Sequence, residues 1–187
     1  MKHVIAFVVL SLSLMWAGAA NAGTYDDAMK TYLAAGQKII DMVNSNKVDV
    51  GTVEKNVLVA VNAGIELAQA YAKKHPEGKA ALDAVISNAA NSDGTAVGNM
   101  SKLPFATIEA DWHDAAYFSK NDLGVDLQDE DNEHYLDPIH TIVHPIMVLV
   151  AARDHAKDGN ADSLKAMKAE MQEGMEQVEA TTHVVNN

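Results

Sequence analysis

Apolar residues recur three and four positions apart along most of this chain, and that period leaves few folds open to it. Tyr25, Met29, Tyr32, Leu33, Gly36, Ile39, Ile40 and Val43 form one stripe, which predicts an amphipathic helix over 25–44. "NSNKVDVGT" interrupts the period, and Thr52 stands where the cap of a second helix over 53–74 is needed. That segment is apolar on more than one face, as a centrally placed helix would be. After the "HPEG" turn, residues 77–90 read as a shorter, alanine-rich helix, and "NSDGTAVGNMSKLP" at 91–104 reads as a loop. A fourth helix is expected over 105–119. Asp137 and Pro138 then form the N-cap and first-turn pair of a fifth. A last helix is expected over 162–182, with Leu164, Met167, Met171, Met175 and Val178 along one side. β-Branched runs such as 57–61 sit inside the helical period, so no strand pattern competes. The pattern predicts an all-α protein, an antiparallel helical bundle with four main helices plus one or two shorter ones.

The N-terminus follows a different logic. Lys2 and His3 precede an apolar run, "VIAFVVLSLSLMW", which ends at the small-residue junction Ala20-Asn21-Ala22. This is the pattern of a secretory signal peptide, residues 1–22, cut before Gly23, and the run is too short for a membrane span. The expected mature domain, 23–187, keeps 165 residues, enough for one domain with its own core. It carries 13 basic against 26 acidic side chains once Lys2 is gone. Such a surface repels nucleic-acid phosphates and anionic lipid, which excludes them as expected partners and favours metal cations or a basic protein. Export without a single cysteine excludes disulfides, thiolate metal sites and thioether-attached haem. The periplasm is the expected location. Any metal there must be held by imidazole, carboxylate, thioether or backbone oxygen.

Candidate ligands concentrate in one region. "HYLDPIHTIVHP" puts His134, His140 and His144 beside two prolines. His140 and His144 are four apart, so on a helix their Cβ atoms lie about 5–6 Å from each other on one face. Two imidazoles so placed reach a single Zn²⁺ or Cu²⁺ at about 2 Å each. Glu109 and His113 repeat the spacing on the preceding predicted helix, which gives a His₃-carboxylate set of His113, His140, His144 and Glu109. His134, Asp137 and Asp114 are the accessory ligands or orienting groups. Pro145 deprives the carbonyl of Thr141 of its helical donor, so the helix must bend at His144 or begin after it.

Each feature also has a plain structural explanation. A histidine near a helix end is often only solvated, as expected for His75, His155 and His183. The Met167/Met171/Met175 stripe suits Cu(I), yet methionines at helical spacing are more often core. Glu170 and Glu173 beside it fit the polar face of the same helix. The acidic stretch 122–137, with seven carboxylates, raises Ca²⁺ but lacks the spacing of an EF-hand loop.

A divalent transition metal, copper or zinc, handled by a buffering, delivery or sensing protein is the reading the histidines favour. The alternative is a noncovalent haem b bundle for electron transfer or gas binding, with His113, His144 and Met171 as candidate ligands. A di-iron site would need Glu-x-x-His on two helices and further glutamates, a set this chain does not supply. A non-catalytic adaptor or chaperone-like bundle is the third reading; wide apolar patches and scattered histidines would mark it. No hydrolase motif stands out: the chain has neither a glycine-flanked serine elbow nor His-Glu-x-x-His. Binding rather than turnover is expected.

Overall fold

In the computed structural model, residues 25–123, 125–127 and 129–187 are described; the signal-peptide reading falls on residues 1–22, outside them. Among the described residues seven α-helices carry the fold: α1 Asp26–Asn44, α2 Val50–Lys74, α3 Lys79–Ala89, α4 Phe105–Ile108, α5 Ala116–Asn121, α6 Leu136–Asp158 and α7 Ala161–Asn186. Among the described residues the only β pairing is an isolated bridge between Ala90 and Val97. The all-α expectation therefore holds, with α1, α2, α6 and α7 as the four main helices and three shorter ones rather than one or two.

The long helices surround one core. Each of α1 and α6 packs against both α2 and α7. Glu54 meets Arg153, Gly64 meets Thr141 and Tyr71 meets His134, so α6 runs backwards along α2. Thr141 likewise meets Thr181, and His144 meets Glu170, so α7 reverses again. At the two ends of α1, Tyr25 bonds to Asn186 and Asn44 to Lys168, which sets α1 and α7 in opposite directions.

Helix α6 is the axis of the fold. Every residue from Pro138 to Ala152 is buried, a consequence of neighbours on all sides: α2, α7, α3, and the segment before α5. The stretch 130–158 is apolar and long enough to cross a membrane by composition, yet 83% of its apolar window is buried inside the fold. Core position explains its character. Pro145 does not end it, contrary to one of the two outcomes its position allowed; the helix runs unbroken through it. An interior proline costs about 3 kcal/mol in an isolated helix, but burial on every side holds α6 together. The carbonyl of Thr141, deprived of its donor, faces Gly64 of α2, where a Cβ would come within 3.1 Å of that oxygen. A glycine there lets the two backbones approach.

Three boundaries differ from the sequence reading, each for a local reason. The cap of α2 is Asp49, whose carboxylate accepts the backbone N–H of Thr52 at 2.8 Å and its hydroxyl at 2.6 Å; Thr52 is the donor inside the first turn. These bonds also hold the Asp49 carboxyl below its usual range. Asp137 does not cap α6, because a 3₁₀ turn, Glu130–Tyr135, runs straight into the helix and leaves Asp137 within its first turn. The predicted helix over 105–119 is broken into α4, a π-helical turn at Glu109–His113, and α5. The N–H of Asp114 bonds to the carbonyl of Glu109 at 2.7 Å, one residue wider than an α turn. Ala115 then takes a left-handed conformation, φ 64°, which costs an alanine about 1–2 kcal/mol. Aromatic packing holds this irregular segment: buried Trp112 stacks on Tyr117 at 4.0 Å and meets the edge of Phe118. Lys120 braces it through an ion pair to Asp111.

The tight α2–α6 approach has a measurable consequence. Gly64→Leu should lower the unfolding free energy by about 3 kcal/mol through overpacking. Gly51→Ala, on the same helix but with nothing nearer than 3.6 Å to its Cβ, should leave it unchanged or raise it by at most about 1 kcal/mol. Urea denaturation of the two variants checks this.

Candidate metal centre

His140 and His144 share the inner face of α6, one turn apart, as their spacing requires. The π-helical turn brings His113 onto them. The rings of His113 and His140 stack in parallel, 4.4 Å between centroids and 5° between planes. His144 stands edge-on to both, at 5.2 Å from His113 and 5.3 Å from His140. One ligating nitrogen from each of the three lies within 4.8 Å of the others. Among the described residues this is the one group of three metal-ligating side chains brought so close.

The hydrogen bonds fix which nitrogen each ring can offer. His140 Nε2 lies 3.0 Å from the carbonyl oxygen of His113. A carbonyl only accepts, so Nε2 carries the proton and Nδ1 the lone pair. His144 Nδ1 lies 2.8 Å from Glu170 Oε2, and His113 Nδ1 lies 3.0 Å from Asp114 Oδ1. Ionised carboxylates also accept, so in the neutral form that a metal requires the lone pair of both rings is on Nε2. Each imidazole thus has one nitrogen tied to an acceptor and the other available for an ion. Ligating histidines use this arrangement, in which the outer acceptor sets both tautomer and ring orientation.

Burial grades steeply across the cluster. His144 is 1% exposed, His140 9%, and the His113 side chain 29%. Burial, aided by the neighbouring imidazoles, pushes His140 down to about 4 against the bond from its ring to the His113 carbonyl. His140 is therefore neutral at pH 7, the form that binds metal. Around a tetrahedral ion with bonds of about 2.0–2.1 Å, ligand nitrogens sit roughly 3.4 Å apart. The cluster would contract onto such an ion, and His113, on the most exposed and least regular segment, is the member best placed to move.

Helix α7 supplies what the sequence reading assigned to a solvated face. Glu170 side chain is only 15% exposed, and its carboxylate is on His144. Glu173 Oε2 lies 4.0 Å from His144 Nε2, the ring nitrogen not bonded to Glu170. This contact depends on Gly174. A Cβ at that position would stand 3.1 Å from the Cβ of His144 and would overlap the hydroxyl of Tyr32, so only glycine lets α7 come this close. The buried Tyr32 hydroxyl has no hydrogen-bond partner among the described residues, and burial raises its pKa well above the ordinary value. The Glu-x-x-Glu-Gly run at 170–174 was the available signal. Spaced one turn apart beside a glycine, its two carboxylates share a face that a second helix can approach closely.

The remaining sequence candidates are placed elsewhere. Glu109 is exposed at the start of the π turn and does not join the cluster, because the wider turn removes the one-face relation that four-residue spacing gives in an α-helix. Asp114 takes the orienting role through His113. His134 belongs to a separate aromatic group: its Nδ1 is 2.6 Å from the Tyr71 hydroxyl, and its ring lies 5.3 Å from His75. Asp137, half-buried, has its carboxyl raised by desolvation and by Glu133, and its carbonyl accepts the Thr141 hydroxyl. Neither His134 nor Asp137 reaches the three histidines' group. Met171 is wholly buried and packs against Gly36 of α1. His155 bonds to the carbonyl of Asn160, and His183 to the side chain of Asn187, as helix-end histidines do. No protein-family model, curated protein or solved structure matches the chain.

The state of His140 sets a pH dependence. In the unfolded chain it titrates near 6.5, in the fold near 4. Between these values the unfolded state binds the extra proton, so stability present above pH 6.5 is lost as pH falls towards 4. At about 1.4 kcal/mol per pH unit this group removes at most about 3 kcal/mol. With chelator present, denaturant unfolding at pH 7 and pH 4.5 should show a larger loss for the wild type than for His140→Gln, which keeps a donor for the His113 carbonyl and does not titrate.

Proposed function

We propose that the protein is an exported helical-bundle protein that binds one divalent transition metal, copper or zinc, through His113, His140 and His144. Its role on this reading is metal buffering, delivery or sensing in the periplasm. The observation that carries the metal reading is the pairing of convergence with orientation. Three imidazoles meet within 4.8 Å, and each has its other nitrogen committed to an acceptor. Histidines gathered only by packing have no need for all three lone pairs to be kept available. The donor set fits borderline cations: nitrogen ligands with a carboxylate at hand suit Zn²⁺ and Cu²⁺ better than Ca²⁺ or Mg²⁺.

Export rests on the sequence of residues 1–22 alone, and the absence of cysteine accords with it. The haem alternative finds no comparable support, since Met171 is engaged with α1 rather than with the histidines. Nor is the adaptor alternative favoured: among the described residues Val59 is the one large hydrophobic side chain that is exposed, and the histidines of the cluster are gathered rather than scattered.

Untagged protein should bind one equivalent of Zn²⁺ or Cu²⁺ by isothermal titration, with release of protons small at pH 7. His140→Ala/His144→Ala should abolish that binding while helical circular dichroism persists; full stoichiometry retained in the double variant would overturn the assignment. Expressed in a bacterium with its own N-terminus, the periplasmic product should begin at Gly23 by N-terminal sequencing.

A further inference from the structure

We propose that Glu173 is the fourth ligand of this site and the exchangeable one: an exposed carboxylate that closes the metal position and yields it to an incoming ligand. This rests on the three-histidine reading above. The geometry carries it in three steps. His144 has one nitrogen bonded to Glu170, so the nitrogen turned to the ion is Nε2. Glu173 Oε2 is 4.0 Å from that nitrogen, close to the roughly 3.4 Å that separates two ligands of one tetrahedral ion. Glu170 sits on the far nitrogen of His144 and Asp114 on the far nitrogen of His113. Glu173 lies outside the 4.8 Å group of the three histidines but, at 4.0 Å from His144 Nε2 and on an exposed side chain, reaches an ion there by turning inwards.

Charge and exposure agree with the assignment. Glu173 beside the His144 ring and Glu170 bonded through it would place two negative charges near a divalent ion. Along the site the side chains grade from His144 at 1% exposure to Glu173 at 57%. Three ligands are therefore anchored in or against the bundle, while the fourth projects from the surface of α7. A ligand of that kind is lost first. The vacated position then opens towards solvent, where a small anion, or a donor side chain of an acceptor protein, enters without displacing a buried histidine. A site so built holds its ion between transfers and does not lock it in, which is what delivery requires.

Co²⁺ tests the point, because its visible d–d bands are intense in four-coordinate sites and respond to each ligand. The full, untagged protein, Glu173→Ala and Glu170→Gln would be titrated with Co²⁺, and each loaded form then with azide. Circular dichroism first verifies that the variants are folded, which is expected of a change at an exposed helix position. Wild type should bind one Co²⁺ with a four-coordinate spectrum that responds weakly to azide. Glu173→Ala should bind at least about 10-fold more weakly and gain an azide-dependent band at concentrations that leave wild type unchanged. Glu170→Gln should lose affinity while its azide response stays that of wild type. Equal affinity and equal azide response in wild type and Glu173→Ala would overturn the role of Glu173 and leave the three-histidine site standing. Wild type that binds no Co²⁺ would overturn both.

Discussion

An imidazole 1% exposed needs a partner for each polar nitrogen or an ion in its place, and for His144 that partner is Glu170 on the neighbouring helix. A carboxylate largely removed from water is in turn costly unless something donates to it. The two groups settle each other's demands across the α6–α7 interface. The contact is available because Gly174 removes the side chain that would hold the helices apart. Once α7 is seated on α6 at this depth, the position of Glu173, the exclusion of water from His144 and the packing of Tyr32 follow. Any change that lifts α7 by the width of a methyl group would disturb all of them together.

The same close-approach device appears on the other side of α6. Gly64 lets α2 lie against the carbonyl that Pro145 strips of its donor. Two glycines on two helices thus flank the stretch 141–145, and His144 is held from both sides in a segment of helix that would be weak by itself. In an isolated peptide Pro145 would end the helix; within this fold its missing donor falls where a neighbouring backbone approaches and where no side chain intrudes. Rigid placement of His140 and His144 comes from that enclosure rather than from helix propensity.

What could be read in advance divides along the same line between local and tertiary causes. The periods of α1, α2 and α7 are written in the order of apolar residues, and so was the shared face of His140 and His144, because both depend on chain-local geometry. His113 does join the group, but not by the relation the sequence offered. It was placed by an α-helical relation with Glu109, whereas a π turn and a left-handed Ala115 deliver it. Both features answer to the burial of Trp112 and Phe118, which no local pattern states. Glu170 and Glu173 looked like solvent-facing residues for the same reason. On a helical wheel they lie on the polar side of the Met167/Met171/Met175 stripe, and only the docking of α7 decides that this side meets a histidine. His134 shows the converse. Its place among other histidines in the sequence suggested one site, yet it precedes α6 in a 3₁₀ turn and faces Tyr71.

The two histidine groups differ in what would let one of them hold a metal. His75 and His134 also lie near each other, with Tyr71 stacked on the first and hydrogen-bonded to the second. Three aromatic rings in contact there form a packed corner at the end of α2, and His75 has Glu77 within 3.8 Å. Yet the Tyr71 hydroxyl is spent on the Nδ1 and carbonyl of His134, and among the described residues the pair forms no group of three ligating side chains within 4.8 Å. In the His113–His140–His144 group each ring has one nitrogen on an acceptor, and one nitrogen of each ring lies within 4.8 Å of the other two. Ring lone pairs gathered in a partly dry place repel one another, and a bound cation would relieve that repulsion. The gathering of three ring nitrogens in a largely buried place, more than the number of histidines, is what would let the inner cluster hold a cation, whereas the outer corner, with His134 exposed, pairs two rings around Tyr71.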